Sequence, residues 1–443
     1  MSAGSSPSYV IIGSGVFGAS TALHLIRAHP DADVTLVDRD AHDAPTRVAA
    51  SWDWNKVVRA DYADILYTKL ALEAQALWRT DPIWKPFYHE SGVVWISRTS
   101  FAKDVVANHA ALGAGAKLGA YPVEEARKMY GGLLDGADYT GVQEVLVNRG
   151  SGWAEAKEAL QSTIEAAMGL GVRYVTAEVT GVRLEGDGSR RQCRGVVTAD
   201  GRTLSADRVV VCAGAYTPKL LVDSAPDWPD LHAGERILAS GITEATAPLS
   251  HEDRPILDTM PVCCNVNPVE RGEEVGCLPL PALHAFKCWG QVHFRNTITH
   301  PVTGQSLSAP PLKRDYAQWE VSPALRDDVQ WALRSVFGDR KSNLAHLKME
   351  NHRICWDAWT PTEDFIVSPH SACDGLFIAT CGSFHGFKFL PVIGKYVVAM
   401  LAGELDPVWR EKWAWDRERP PVGRRGEFAR HELKDWLSAG QDD

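Results

Sequence analysis

The start of the chain carries the constraint that most narrows its fold. A run of mostly β-branched residues, Tyr9–Ile12, meets the spacing Gly13-x-Gly15-x-x-Gly18, and a helical pattern follows with Ala22, Leu23, Leu25 and Ile26. A second apolar run, Val34–Val37, ends in Asp38, twenty residues past the last glycine. Strand, glycine turn, helix, strand and terminal acid together make a complete βαβ dinucleotide-binding unit rather than a bare glycine motif. Gly13 is expected to form the tight turn, Gly15 to let backbone approach a pyrophosphate, and Gly18 to let the helix pack closely on the strand. The helix N-terminus would face the phosphates. Asp38 would accept hydrogen bonds from ribose hydroxyls, and its charge disfavours a 2′-phosphate. The ligand this unit implies is FAD or NAD.

A length of 443 residues suggests two or three domain-sized units. The formal charge of −10 offers no basic footprint, so nucleic acid is not an expected partner. The N-terminal MSAGSSPS lacks a basic n-region, and the apolar run behind it is the first strand of the βαβ unit, not a signal peptide. No stretch approaches the ~18 consecutive apolar residues of a membrane helix, and the terminal SAGQDD is not a peroxisomal signal. Nine cysteines form an odd set without C-x-x-C spacing, with Cys263 and Cys264 adjacent, which points to reduced thiols and a cytoplasmic location. Fifteen histidines show no H-E-x-x-H or clustered spacing, so no metal site is expected. Sixteen tryptophans suit a core and an aromatic pocket alike.

Further along, residues 65–79 read as an amphipathic helix, 92–97 as a strand, and 151–170 as a helix. Strands are expected over 172–177 and 179–184, followed by a polar turn at 185–191, and a hairpin over 195–204. Asp207–Ala213 is a continuous apolar run entering Gly214, the pattern of a strand buried on both faces of a parallel sheet. A helix is expected to start after Gly214. Residues 225–345, rich in Pro, His and Trp without α/β alternation, read as a separate substrate-covering unit. From Gly375 the βα pattern returns, with a strand over 376–379 and a helix over 391–401.

Four segments occur in order behind the βαβ unit: SWDWNKVVRADYAD (51–64), DRVVVCAGAYTP (207–218), RICWDAWTPTEDF (353–365) and CGSFHGFKFLP (381–391). With these the chain resembles, over almost its whole length, the sarcosine oxidase family of FAD-dependent amine oxidases, and within it the fructosyl amino acid oxidases, or amadoriases. The resemblance implies an α/β fold, α+β when taken whole: a Rossmann-like FAD-binding domain of the D-amino acid oxidase/sarcosine oxidase type with an inserted antiparallel-sheet substrate domain. The expected division is 1–80, 150–222 and 350–410 for FAD, 81–149 and 223–349 for substrate, and 411–443 as a tail. Cofactor contacts are implied at Gly13, Gly15, Val16, Gly18, Asp38, Lys56, Val179, Ala213, Gly214, Gly382, Phe384, His385, Gly386, Phe387 and Lys388. Cys355 falls where the family links flavin covalently through a thioether. Lys287 falls where it activates dioxygen, since a fixed cation near the flavin stabilises nascent superoxide. Arg59 and Lys388 match its carboxylate-binding cations.

Two departures bear on substrate. Amadoriases carry a glutamate four residues after the oxygen-site lysine, where this chain has Gln291, a candidate substrate contact without the charge. Their W-R-W-R-P-G stretch is here Trp413-Ala414-Trp415-Asp416. A nearby basic cluster, Arg424, Arg425 and Arg430, reads as a solvated helix start. The expected activity is therefore oxidation of a secondary amine on an amino acid or a derivative of one, with O2 reduced to hydrogen peroxide. The alternatives are a deglycating fructosyl amino acid oxidase or a flavin amine dehydrogenase using another acceptor. The expected partners are a small-molecule amine and O2, with no nucleic acid or membrane, and the expected state is a monomer.

Overall fold

The computed structural model describes residues 7–186, 191–266, 274–312, 318–338, 343–418, 429 and 431–437. Strand Tyr9–Ile12, helix Val16–Ala28 and strand Val34–Asp38 form the anticipated unit. They sit in a six-stranded sheet ordered 366–369, 376–380, 208–211, 9–12, 34–38, 173–176. Every pairing in it is parallel except that of the edge strand Ile366–Pro369. Val209, Val210 and Val211 are fully buried at its centre, as their unbroken apolar run requires when helices cover both faces. Gly13 takes a φ of 93°, where a Cβ would lie 2.6 Å from the Cys212 carbonyl oxygen. A Cβ on Gly18 would lie 1.8 Å from the Gly13 carbonyl oxygen, so the helix can start against the strand only with glycine there.

A second, nine-stranded sheet, mostly antiparallel, is ordered 350–359, 238–248, 285–295, 274–280, 262–266, 93–96, 144–148, 118–122, with the short strand His431–Glu432 beside 285–295. Its two longest strands, 238–248 and 285–295, come from the region that shows no α/β alternation, and helix Pro323–Phe337 packs its buried Leu325, Val329, Leu333 and Val336 against it. Helix Ile65–Thr80 and helix Ile393–Ala402 lie as expected.

The expected helix over 151–170 is corrected. Gly152–Glu155 is a strand, paired antiparallel with Asn55–Val58 and Tyr88–His89, and the helix is Ala156–Gly169. The cause is tertiary: Trp153 is buried and stacks on His89 with ring centroids 4.0 Å apart, while Gly152 lets the His89 carbonyl approach closely. This small sheet carries Lys56, and its Asn55 side chain donates to the Pro279 carbonyl of the nine-stranded sheet at 2.7 Å. Among the expectations at the margins, the tip of the 185–191 turn, the basic Arg424, Arg425 and Arg430, and both chain ends lie outside the described residues. No described helix is long and apolar enough to cross a membrane. All nine cysteines are free and buried.

Candidate active site

Two cavities meet where the sheets join. The first runs from the βαβ unit to the strand that carries Cys355. Gly13, Gly15, Val16, Asp38, Val179, Ala213 and Gly214 line one end, and Lys56, Cys355, Trp356, Gly382, Phe384, Gly386 and Phe387 the other. Gly18 is not in the lining; it holds the helix in place. That helix has Gly15 as its N-cap and no acidic residue in its first turn, so its leading N–H groups are left for an anionic ligand. Asp38 accepts from the Ser14 backbone and hydroxyl at 2.7 and 2.9 Å and pairs with the buried Arg47 guanidinium at 3.0 Å. A glycine cradle, an open helix N-terminus and an acid at the second strand's end fit the nucleotide half of FAD. The Cys355 end, walled by aromatic rings, fits its flavin half.

The second cavity, of ≈ 530 Å³, is large enough for an amino-acid derivative and shares Lys56, Phe384 and Phe387 with the first. Arg59, Lys287, His385 and Lys388 line it, and His385 and Lys388 line only this cavity. Gln291 lines neither. Strand alternation would set residues 287, 289, 291 and 293 on one face. The pairing with strand Leu238–Pro248, however, jumps from Ile242–His293 to Glu244–Trp289, leaving Gly290–Val292 in a bulge. The Val292 amide donates to Asp328 of helix Pro323–Phe337 at 3.1 Å, and Gln291 is turned out of the lining.

An ionic cluster that the sequence reading passes over occupies the junction. Lys56 Nζ lies 2.6 Å from Asp53 Oδ2 and 3.0 Å from Glu244 Oε1. Lys287 Nζ donates to Asp53, to the Asn55 carbonyl at 3.1 Å, and approaches Glu244 at 3.0 Å. Arg353 reaches both carboxylates at 3.5 Å and donates to the Trp52 carbonyl at 2.7 Å. Three cations face two carboxylates, leaving one positive charge. Burial alone would raise the Asp53 carboxyl, but Lys287, Lys56 and Arg353 hold it far below the usual carboxylate range. Lys56, despite burial, is held well above the ordinary lysine range by Asp53, Cys355 and Glu244. Burial pushes the Cys355 thiol up to about 11, against the pull of Lys56, whose Nζ is 3.8 Å from Sγ.

The 381–387 loop is held in place by backbone strain and by anchors. Cys381, Ser383 and Phe384 take positive φ values of 70°, 46° and 59°. Asp357, one strand step past Cys355, accepts from the Phe384 amide at 2.8 Å, and the Ala358 carbonyl accepts from the Ser383 amide at 3.0 Å. Arg59 lies over the Tyr62 and Trp95 rings at 4.5 and 4.7 Å and donates to the Asp61 carbonyl. Asp61 itself is engaged by Trp95 and Asn148. At the tail, Trp413 and Trp415 are buried, and Asp416 pairs with Arg236 at 2.6 Å. None of these lines either cavity.

A dinucleotide cavity with a thiol on its wall, opening onto a cation-lined pocket past a lysine and two phenylalanines, defines a flavin-dependent oxidoreductase. The sequence profile of the FAD dependent oxidoreductase family (DAO) matches residues 8–400, and the chain belongs to that family. It is 28% identical over 428 residues to L-saccharopine oxidase of Schizosaccharomyces pombe, covering 92% of each chain. It is also 28% identical to amino acid oxidase imqH of Aspergillus flavus, covering 89% of this chain and 92% of that one. Among solved structures it is similar to the deglycating enzyme fructosamine oxidase from Aspergillus fumigatus (Amadoriase II), with a TM-score of 0.75 and 26% identity over 93% of this chain and 90% of the other.

Proposed function

We propose that this enzyme oxidises a secondary amine borne by an amino acid or an amino-acid derivative, with O2 as the electron acceptor and hydrogen peroxide as its product. The observation that carries the reading is the pair Arg59 and Lys388. Both are basic side chains lining the second cavity, Arg59 a fixed cation and Lys388 an amine, and neither has a carboxylate within ion-pair distance among the described residues. A guanidinium left without a counter-ion in a partly dry cavity invites an anionic ligand, and Arg59 offers a carboxylate a planar fork that a protonated Lys388 would complete. The relatives' names, an oxidase of saccharopine and an amino acid oxidase, point to the same class of ligand.

Bound in the first cavity, the flavin supplies the hydride acceptor and the route of electrons to O2. The chain's own residues do the rest. Arg59 and Lys388 fix the carboxylate so that the carbon next to nitrogen faces the wall formed by Phe384 and Phe387. Lys287, held by Asp53 and Glu244, keeps a positive charge at the junction, where charge develops on dioxygen. Cys355, lining the flavin end of the first cavity, would hold the cofactor through its sulfur. The division into cofactor segments 1–80, 150–222 and 350–410 and substrate segments 81–149 and 223–349 belongs to the same reading. Strand Glu350–Trp359, hydrogen-bonded to the large sheet, serves both units. A cytoplasmic monomer completes it.

A deglycating activity on fructosyl amino acids is the second reading, favoured by the likeness to fructosamine oxidase across nearly all of both chains. Anaerobic mixing with N-methyl amino acids, pipecolate, saccharopine and fructosyl-valine separates the two. Bleaching of the yellow flavin by the first three kinds of compound supports the proposal. Bleaching by fructosyl-valine alone establishes the second reading, and no bleaching by any of them refutes both.

A further inference from the structure

The buried lysines around the two cavities are not equivalent. Lys56 and Lys287 each reach Asp53 and Glu244. Lys388, only 4% exposed, reaches no carboxylate among the described residues. Its Nζ donates to the Tyr62 hydroxyl at 3.0 Å and to the His385 carbonyl at 2.6 Å.

The direction of the surrounding bonds follows by elimination. His385 Nε2 lies 2.8 Å from the Glu363 carbonyl oxygen, which can only accept, so Nε2 carries a hydrogen. In the neutral ring Nδ1 is then an acceptor, and it takes its hydrogen from Tyr62 Oη at 3.1 Å. The Tyr62 oxygen is left to accept from Lys388. Two N–H bonds of Lys388 are thus committed to neutral acceptors, which is all a neutral amine has. A third hydrogen would make an uncompensated charge beside Arg59, whose guanidinium lies over the same Tyr62 ring at 4.5 Å. The groups that face Lys388 are Arg59, Asp61 and Tyr62 from one segment, Glu274 from strand Glu274–Leu280, and His385 from its own loop. Burial first and Arg59 second push this amine well below the ordinary lysine range, against Glu274 and Asp61.

We propose that Lys388 is a neutral amine in the free site and accepts the proton of the incoming substrate ammonium; this rests on the amine-oxidation reading above. An amino-acid derivative arrives as a zwitterion, and its nitrogen lone pair must be free before the neighbouring C–H can give up hydride. The substrate N–H bond breaks, its electron pair stays on the substrate nitrogen, and the proton bonds to the lone pair of Lys388 Nζ. The new lysine ammonium then pairs with the substrate carboxylate beside Arg59. One proton transfer makes the amine reactive and charges its anchor, with no net exchange with solvent and no oxidant. Lys56, held protonated by Asp53 and Glu244, is unsuited to this role.

The test is calorimetric titration of the flavin-loaded enzyme in buffers of different ionisation enthalpy near pH 8. One ligand is 2-aminoisobutyrate, a zwitterion that cannot be oxidised; the other is pivalate, its isostere with methyl in place of ammonium. Pivalate brings no proton, so its binding is expected to take up about one from solvent and to weaken about tenfold per pH unit through this range. The zwitterion is expected to take up none. In Lys388→Arg, where the cation is permanent, pivalate is expected to bind without uptake, while flavin reduction by a secondary amine acquires a rise with pH. Pivalate bound to the native enzyme without proton uptake overturns the proposal, even where amines still bleach the flavin. Unchanged uptake in Lys388→Arg moves the acceptor to another residue and overturns it equally. If neither ligand binds, the proposal falls together with the carboxylate site.

Discussion

At the scale of single residues, Asp53 decides whether the junction holds together. It takes Lys56, Lys287 and Arg353 at once, in a place sealed from water. Asp53→Asn leaves three cations facing Glu244 alone, and breaking a buried network of this kind costs about 3–5 kcal/mol, read as a lowered denaturation midpoint. The pH dependence has a definite sign. A carboxyl held below its unfolded value of about 3.9 stabilises the fold above that value, and the stabilisation drains away as pH falls through and below about 4. The variant is therefore expected to lose less stability between neutral pH and pH 3 than the native chain; an equal loss would show that Asp53 is not the group titrating. Arg59→Ala is expected to raise KM for carboxylate-bearing amines by the equivalent of about 1.5–3 kcal/mol, the range for a charged hydrogen bond, and an unchanged kcat/KM would move the anchor elsewhere. Cys355→Ala is expected to leave flavin bound but extractable by acid, in contrast to the native protein. Native enzyme that releases all of its flavin on denaturation contradicts the covalent link.

At the scale of elements, the parts legible in the sequence are those governed by local rules. The glycine spacing placed the βαβ turn, and the unbroken run at 207–213 announced a strand buried on both faces. Gly18→Ala tests the first of these directly. The added methyl meets the Gly13 carbonyl, so helix and strand must separate, with a cost of about 1–3 kcal/mol and a loss of flavin content measured by absorbance. A fully loaded, equally stable variant would contradict that role. What the sequence hid depends on distant partners. Trp153 draws Gly152–Glu155 into a strand only because His89 lies across from it. Gln291 leaves the cavity in a bulge whose Val292 amide donates to Asp328, from a helix later in the chain. Asp53, Glu244 and Arg353 come from three separated segments, and two of them leave a local trace: Arg353 stands two residues before Cys355, on the same face of its strand. Glu244, an acid within an otherwise uncharged buried strand, was a second signal, since such a group must be paired.

At the scale of the whole molecule, the two large sheets line two adjoining cavities, and a cofactor bound in the first would bridge them. Strand Glu350–Trp359 closes the nine-stranded sheet and lines the dinucleotide cavity. A ligand bound only by the assembled junction stabilises it by mass action: for Cys355→Ala freed of flavin, added FAD at a hundredfold excess over Kd is expected to contribute about 2.7 kcal/mol, seen as a rising Tm. A Tm indifferent to FAD would contradict the bridging role. The central claim is that this space oxidises an amine whose carboxylate Arg59 and Lys388 hold. It is tested most directly by the anaerobic rate of flavin reduction with one reactive amino acid and with its methyl ester, which keeps the amine and the C–H bond but removes the charge. The account predicts fast bleaching by the acid and at least a tenfold slower response to the ester at equal concentration, with Arg59→Ala erasing most of the difference. Equal rates for acid and ester in the native enzyme would contradict it.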